Sequence, residues 1–177
     1  MSKEKEELLK LLKERAVKTG EFTLASGGKS NFYVDGKQVT LDPQGSYLLA
    51  KVILEKLEGL DVDAIGGLTI GADPIAAAVA ITSRDRKKPI SGFIVRKEVK
   101  KHGLQKEIEG IVKPGWKVVI VDDVITKGTS TAKAIKTVEK MGCKVVKVTC
   151  LVDREEGGAQ TLKDYDFDPI FKKSECT

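Results

Sequence analysis

The sequence lacks features that are typical of secreted proteins, of membrane-spanning proteins and of proteins that bind single-stranded nucleic acid by base stacking. Aromatic residues make up only 5% of its 177 residues, so surfaces on which the bases of single-stranded nucleic acid stack are scarce. No apolar run approaches the roughly 18–20 residues that cross a bilayer. The charged N-terminus has no apolar signal-peptide core. We therefore expect a cytoplasmic protein with neither membrane nor nucleic-acid partners.

The cysteine content is also low. Cys143, Cys150 and Cys176 form no CxxC pair and have no metal-ligand spacing, and an odd number without a framework is typical of reduced thiols in a cytosol. What is abundant is positive charge, because the net charge is +5 with only one histidine. Positive charge alone is compatible with either nucleic acid or small phosphates, and it is the scarcity of aromatic residues that counts against single-stranded nucleic acid.

The pattern of apolar residues predicts an α/β fold. Apolar strands at 62–67, 90–96, 117–122 and 144–153 alternate with helical patterns at 43–58, 73–84 and 129–141. This alternation is typical of a parallel sheet that helices cover on both faces. Residues 4–18 predict a surface helix that stops at Gly20, and residues 97–110 predict a loop. We expect one domain, 1–177, in which an N-terminal segment (1–40) packs beside an α/β core (41–177).

Two adjacent carboxylates, Asp122 and Asp123, end the third strand directly before a turn rich in Thr and Gly. In open α/β sheets, ligands bind beyond the carboxyl ends of the strands, and the N–H groups of residues 126–131, before a helix, form a concave anion site. The acids would repel a phosphate, so we expect them to face ribose hydroxyls or a hard cation. The alternative, a helix cap with solvated acids, accounts for one acid but not for the pair. The junction therefore predicts a site for ribose 5-phosphate.

Residues that could bind a ligand also follow three other strands, and each of these motifs has an alternative explanation that is purely structural. The basic stretch from Arg96 to His102 could close over a polyanion, or it is a solvated surface loop. Arg154, in "LVDREEGG", offers a guanidinium fork to a carboxylate, or it pairs with Glu155 or Asp153. Gly71 and the helix cap that Asp73 predicts, in "LTIGADPIAAAVA", suit a pyrophosphate turn or an ordinary strand–helix connection.

At these motifs the sequence resembles a known family. "VVIVDDVITKGTST" is similar to the signature with which type I phosphoribosyltransferases bind 5-phosphoribosyl 1-diphosphate (PRPP). "VRKE-K-HG" and "DREEGG" resemble the catalytic loop and the base-binding motif of orotate phosphoribosyltransferases within that family. The matches run from about residue 22 to about residue 158. The sequence departs from the family pattern at Lys127, where a small residue is usual, and at Thr129, where Gly or Ala is common.

The resemblance implies roles for individual residues, and it places the 5-phosphate in the turn and the ribose hydroxyls on the acids. The implied catalytic residues are Lys97, Lys100 and His102. The implied PRPP-binding residues are Arg96, Lys97, Lys100, His102, Asp122, Asp123, Val124, Ile125, Thr126, Lys127, Gly128, Thr129 and Ser130. The implied orotate-binding residues are Lys29, Phe32, Tyr33, Thr126 and Arg154. Without the resemblance, Phe32 and Tyr33 are core residues.

The implied activity is the transfer of the phosphoribosyl group from PRPP to orotate, a step of pyrimidine biosynthesis, in a homodimer with a shared active site. The implied cofactor is Mg²⁺, held mainly through substrate oxygens, and a direct role of Asp122 and Asp123 in holding it stays open. His102 either neutralises pyrophosphate or transfers a proton. Two other functions remain open, a phosphoribosyltransferase for a purine and a regulator of the same fold that senses PRPP.

Overall fold

We describe a computed structural model of the chain, which covers residues 2–23, 29–98 and 106–177. Lys100 and His102 therefore lie outside the described residues. The helices are α1 (Lys3–Arg15), α2 (Lys37–Thr40), α3 (Pro43–Lys56), α4 (Asp73–Thr82), α5 (Thr129–Lys140), α6 (Gly158–Thr161) and α7 (Lys173–Cys176). The strands are β1 (Val17–Thr23), β2 (Lys29–Val34), β3 (Ala64–Leu68), β4 (Ser91–Val95), β5 (Ile108–Gly110), β6 (Lys117–Ile125), β7 (Lys144–Asp153) and β8 (Phe171–Lys172).

The central sheet has six strands in the order β5-β4-β3-β6-β7-β8. The α/β prediction is confirmed, but the sheet is mixed, because β5 runs antiparallel to β4 while the other pairs are parallel. From β3 the chain adds strands on one side, and at β6 it returns to the other side of β3. The β3–β6 boundary is thus the topological switch point, where open α/β sheets form their binding crevice.

Strand β6 lies at the centre of the core because its apolar residues alternate between two packed layers. Val119 and Val121 face the layer that contains residues of α1, α3 and α4. Val118 and Ile120 face the layer built on α5. A strand buried on both faces reads as a continuous apolar run, which is why the sequence alone located it. The apolar run ends at Val121, so Asp122 and Asp123 follow directly after the apolar part of the strand.

The N-terminal segment departs from the prediction. Helix α1 ends at Arg15, and Gly20 is not its stop but lies within β1, which pairs antiparallel with β2. The N–H of Ala16 donates to the carbonyl of Leu12 and closes the helix. The sequence predicts a helix that extends past Arg15 because Val17 is apolar and is compatible with either a helix or a strand.

Several element boundaries also differ from the predictions. Residues 108–110, expected in a loop, form β5 because the edge of β4 is open to a pairing partner. Asp73 is the first residue of α4 rather than its cap, and its Oδ2 accepts a hydrogen bond from Thr69 Oγ1 at 2.7 Å. Strand β6 continues to Ile125, so Asp122 and Asp123 lie within the strand and not at its end.

Candidate active site

The acid pair lies at the switch point, against the turn that follows β3. Asp122 and Asp123 are 8% and 7% exposed. A Cβ atom placed on Gly71 would stand 2.2 Å from Asp122 Oδ1 and 2.4 Å from Asp123 Oδ1. Only a glycine permits this close approach of the β3 turn to both carboxylates. The two motifs that the sequence placed on different strands therefore meet in one crevice.

Replacing Gly71 with alanine is expected to disturb the acids directly. The added methyl group would displace a carboxylate or the turn, so we expect a loss of about 1–3 kcal/mol of stability and a roughly tenfold higher KM for PRPP, the ligand that the resemblance implies. Denaturant unfolding and initial rates measure the two effects. Gly92→Ala is the control, because its Cβ would meet its nearest atom, Ala76 O, at 3.3 Å. An unchanged KM in Gly71→Ala would contradict the close approach.

The two carboxylates are held by backbone groups of their own strand. The N–H of Asp123 donates to Asp122 Oδ1 at 3.0 Å, and the N–H of Val124 donates to Asp123 Oδ1 at 2.9 Å. Burial, and then the neighbouring charge of Asp123, raise the pKa of Asp122 to about 7. The pair is therefore costly to keep ionised unless a ligand or a cation faces it.

Sequence reasoning missed one residue at this site, Lys37. Its Nζ atom lies 2.9 Å from Asp123 Oδ2 and 3.7 Å from Asp35 Oδ1. The hydrogen bond to Asp123 raises the pKa of Lys37. The two partners are 86 positions apart, and no motif joins them. The available signal was chemical, since a buried carboxylate needs a cation or a donor.

The turn after the acids encloses a cavity of about 110 Å³. Its lining consists of Asp122, Val124, Ile125, Thr126, Lys127, Gly128, Thr129, Ser130 and Thr131. Gly128, with φ of +75°, is the N-cap of α5, so the turn reverses direction at a residue that tolerates this φ. Thr161 Oγ1 donates to the Lys127 carbonyl at 2.7 Å and fixes the turn from outside. The Lys127 side chain is exposed, and the turn retains its backbone N–H groups at the start of the helix.

A second feature of the cavity is a buried hydroxyl. Thr131 is 2% exposed, and within the described residues its Oγ1 atom has no hydrogen-bond partner. A buried hydroxyl without a partner costs free energy that a bound oxyanion would recover. The cavity thus combines helix N–H groups with hydroxyls, which is the chemistry that holds a phosphate.

Arg154 links the end of β7 to the N-terminal segment. Its N–H donates to Ile125 O at 2.9 Å, and its Nη2 atom lies 2.9 Å from Glu156 Oε1 and 3.5 Å from the Phe32 carbonyl. The structure thus shows a salt bridge of Arg154 with Glu156, whereas the sequence suggested Glu155 or Asp153 as the partner. The backbone of Arg154 contacts the end of β6, while its guanidinium contacts Glu156 and strand β2.

The aromatic candidates on β2 differ in burial. The Phe32 ring lies in the core at 2% exposure, whereas Tyr33 is 40% exposed and packs against Phe22 with ring centroids 5.6 Å apart. A ligand can therefore reach the ring of Tyr33, and Phe32 presents its carbonyl beside Arg154. Lys29 begins β2 and pairs with Thr23 through its backbone.

The start of the basic stretch lies at the same edge of the sheet. Arg96 follows β4, and its Nη2 and Nε atoms lie 2.7 and 2.8 Å from Glu109 Oε1 on β5. Lys97 is exposed, and its carbonyl accepts a hydrogen bond from Lys133 Nζ on α5. Because β4, β3, β6 and β7 are parallel, their four terminal motifs share one edge, although Arg96 is paired with Glu109 rather than directed at the phosphate cavity.

Comparison with known proteins agrees with this geometry. A family model for the phosphoribosyl transferase domain matches residues 44–173. The chain is 45% identical over 163 residues to the orotate phosphoribosyltransferase of Aquifex aeolicus, a match that covers 90% of this chain and 89% of the relative.

Solved structures agree in the same way. The orotate phosphoribosyltransferase of Mycobacterium tuberculosis in complex with PRPP superimposes with a TM-score of 0.82 at 31% identity, covering 98% of both chains. The orotate phosphoribosyltransferase of Aeropyrum pernix superimposes with a TM-score of 0.80 at 33% identity, covering 96% of this chain and 95% of that one. The fold is that of the type I phosphoribosyltransferases, and the chain belongs to the orotate phosphoribosyltransferase family.

Proposed function

We propose that this protein transfers the phosphoribosyl group of PRPP to orotate, giving orotidine 5′-monophosphate and pyrophosphate in pyrimidine biosynthesis. The observation that carries the proposal is the junction of β6 and α5, where two buried carboxylates stand beside a cavity of phosphate size. Acceptors for a diol next to donors for a phosphate match ribose 5-phosphate. The relatives support orotate, rather than a purine, as the base.

The reaction is a displacement at the anomeric carbon of the ribose. The bond from this carbon to the pyrophosphate oxygen breaks, the ring gains oxocarbenium-like charge, and a ring nitrogen of orotate forms the new bond. The charge of orotate lies on its carboxylate, so the ring nitrogen releases its proton as the new bond forms, and that proton passes to the departing pyrophosphate or to water. Asp122 and Asp123 orient the ribose hydroxyls, and residues 126–131 hold the 5-phosphate, which fixes the reacting carbon relative to the base.

Mg²⁺ suits this site as a cofactor held largely by the substrate. Among the described residues, no group of three or more His, Cys, Asp or Glu side chains forms a metal site. Asp122 and Asp123 would supply at most two carboxylates, and Mg²⁺ commonly keeps its waters and binds substrate phosphates. The ion would neutralise negative charge on the departing pyrophosphate.

The basic stretch supplies the remaining positive charge. In the proposed closed state, Lys97, Lys100 and His102 face the pyrophosphate, and Arg96 exchanges Glu109 for a phosphate oxygen. Charge that develops on the leaving group is then met by fixed cations in a site from which water is excluded. His102 acts either as one of these cations or as a proton donor to the leaving group.

The proposed base site lies between the end of β7 and β2. Arg154 offers a guanidinium fork to the orotate carboxylate. The remaining edges of the base face four other groups, namely Lys29, the exposed ring of Tyr33, the Phe32 carbonyl and Thr126. Other pyrimidine and purine bases lack the carboxylate, so Arg154 is the residue that selects orotate among them.

Replacing Arg154 with alanine is expected to raise KM for orotate about tenfold or more, because a carboxylate loses a charge-assisted pair of hydrogen bonds. The KM for PRPP should change less than threefold. Glu156→Gln is the matched control, since it breaks the 2.9 Å ion pair but leaves the guanidinium available. Equal losses in both variants would show that Arg154 acts only through its salt bridge.

We further propose a cytoplasmic homodimer whose subunits share active sites. Large apolar side chains are exposed at several positions, among them Leu41, Tyr47, Ile70 and Ile81, and a subunit interface would cover such side chains. Cys143, Cys150 and Cys176 are buried free thiols, as in a reducing compartment. Within 2–23, 29–98 and 106–177, no helix is long and apolar enough to cross a bilayer.

A single spectroscopic assay tests the activity. Orotate absorbance is followed with PRPP, with and without Mg²⁺, and the signal should fall only when all three are present. Hypoxanthine and adenine replace orotate in parallel reactions. Turnover of either purine but not of orotate would overturn the assignment of the base, and PRPP binding without any turnover would indicate a regulator of the same fold.

A further inference from the structure

The acid pair receives a cation from outside the β6–α5 junction. Lys37 lies at the start of α2, in the N-terminal part of the chain, and its ammonium reaches Asp123 Oδ2 at 2.9 Å. The side chain of Lys37 is 42% exposed, whereas that of Asp123 is 9% exposed. One end of this contact is therefore fixed in the crevice, and the other lies at its mouth.

The two oxygens of Asp123 have different environments. Oδ1 accepts from the Val124 N–H and lies against Gly71. Oδ2 accepts from Lys37. Because a carboxylate is planar, its two oxygens turn together, so the bond from Val124 and the contact with Lys37 jointly hold the orientation of the group.

Lys37 is itself held in place by its neighbours. Its N–H donates to Asp35 Oδ1 at 3.2 Å, and the N–H of Asp35 donates to the carbonyl of Ala16. These bonds tie the start of α2 to the end of α1. The ammonium is thus presented to Asp123 from a constrained position and not from a free surface chain.

We propose that Lys37 is a positioning residue for PRPP, which holds the Asp123 carboxylate in the orientation that receives the ribose hydroxyls and offsets the charge of two adjacent acids. The inference rests on the proposed function. Two neighbouring carboxylates repel each other, and without a counter-charge the second would turn toward solvent. A correctly directed acceptor lowers the cost of binding the diol, so the effect should appear in the affinity for PRPP.

The competing explanation is that Lys37 merely ties two elements together. Lys51 provides a matched control, because its Nζ atom lies 3.0 Å from Glu4 Oε1 and the two side chains are 37% and 30% exposed. That pair joins α3 to α1 and lies outside the crevice that contains the acid pair. Removing Lys51 breaks one exposed ion pair, which contributes little stability. Removing Lys37 breaks its contacts with Asp35 and with the buried Asp123.

The experiment compares the parent with Lys37→Met, Lys37→Arg and Lys51→Met. We expect Lys37→Met to raise KM for PRPP tenfold or more while kcat and KM for orotate change less than threefold. Lys37→Arg should restore KM for PRPP to within threefold of the parent. Lys51→Met should match the parent in its kinetics, and the melting temperatures of the ligand-free Lys37→Arg and Lys51→Met proteins should agree with that of the parent within about 3 °C.

Two results would overturn the inference. One is an active Lys37→Met protein whose KM for PRPP stays within twofold of the parent, and the other is a rise in KM that Lys51→Met reproduces. If Lys37→Met does not fold, Lys37→Gln is judged by the same limits. An inactive parent would be a failure of the proposed function instead, and the calorimetric Kd for PRPP of parent and variant would then decide the role of Lys37 by the same tenfold and twofold limits.

Discussion

Replacing Asp122 with asparagine is expected to stabilise the ligand-free protein while lowering kcat/KM for PRPP by 10²-fold or more. The pKa of Asp122 is raised from 3.8 to about 7 by burial and by Asp123, so above pH 7 the folded protein holds a carboxylate that prefers water. Asparagine keeps the Oδ1 acceptor for the N–H of Asp123 but carries no charge. It is a weaker acceptor for ribose hydroxyls than a carboxylate is.

The sign of the stability effect depends on pH. Between pH 4 and pH 7 the unfolded chain releases the Asp122 proton while the folded protein retains it, so the stability of the parent falls as pH rises through this window. The asparagine variant lacks this loss. We expect it to exceed the parent by about 2 kcal/mol at pH 8 and to lose that advantage near pH 4.

Asp123→Asn is the matched control for this prediction. It removes the partner of Lys37 at 2.9 Å as well as the charge that helps to raise the pKa of Asp122. It should therefore lower activity to a similar degree with a smaller gain in stability than Asp122→Asn. Denaturant unfolding at pH 4 and pH 8, together with initial rates in PRPP, measures both quantities. If Asp122→Asn were less stable than the parent at pH 8 and fully active, the acid pair would be structural only.

Replacing Lys100 with alanine is expected to lower kcat by on the order of 10²-fold or more. The resemblance to the family's catalytic loop places this ammonium over the departing pyrophosphate, where charge develops in the transition state. A contact made mainly in the transition state changes kcat more than KM. Steady-state rates with saturating PRPP and orotate measure the change.

Lys101→Ala is the control for Lys100, because it removes the same charge from the next position, to which the resemblance assigns no role. It should retain at least a third of the parent's kcat. Equal losses in the two variants would mean that the loop acts through net charge, and unchanged turnover in Lys100→Ala would remove the basic loop from the mechanism.

The centre of the fold was predictable because its signals are local. The apolar run at 117–122 ends in two acids and a glycine turn, and parallel strands bring their carboxyl ends to one edge, so the ribose-phosphate motif was placed before any contact was known. The start of helix α3 was also predictable, since Pro43 suits the first turn of a helix. The helix ends at Lys56, two residues before the predicted end.

The contacts that the sequence did not indicate are those between distant segments. Nothing near Lys37 shows that it faces Asp123, and the turn at Gly71 reveals its closeness to the acids only through the sheet order β3–β6. Strand β5 was missed because three residues at a sheet edge carry too short a pattern, and its pairing depends on β4. Tertiary context determined each of these features.

A crystal structure of the protein with PRPP and Mg²⁺ would test the assignment of the turn and the acid pair directly. We expect the 5-phosphate inside the turn of residues 126–131, within hydrogen-bond distance of its N–H groups and of the Thr131 hydroxyl. The ribose hydroxyls should lie on Asp122 and Asp123. A structure in which the sugar lies elsewhere, with the turn empty and both carboxylates directed into solvent, would contradict it.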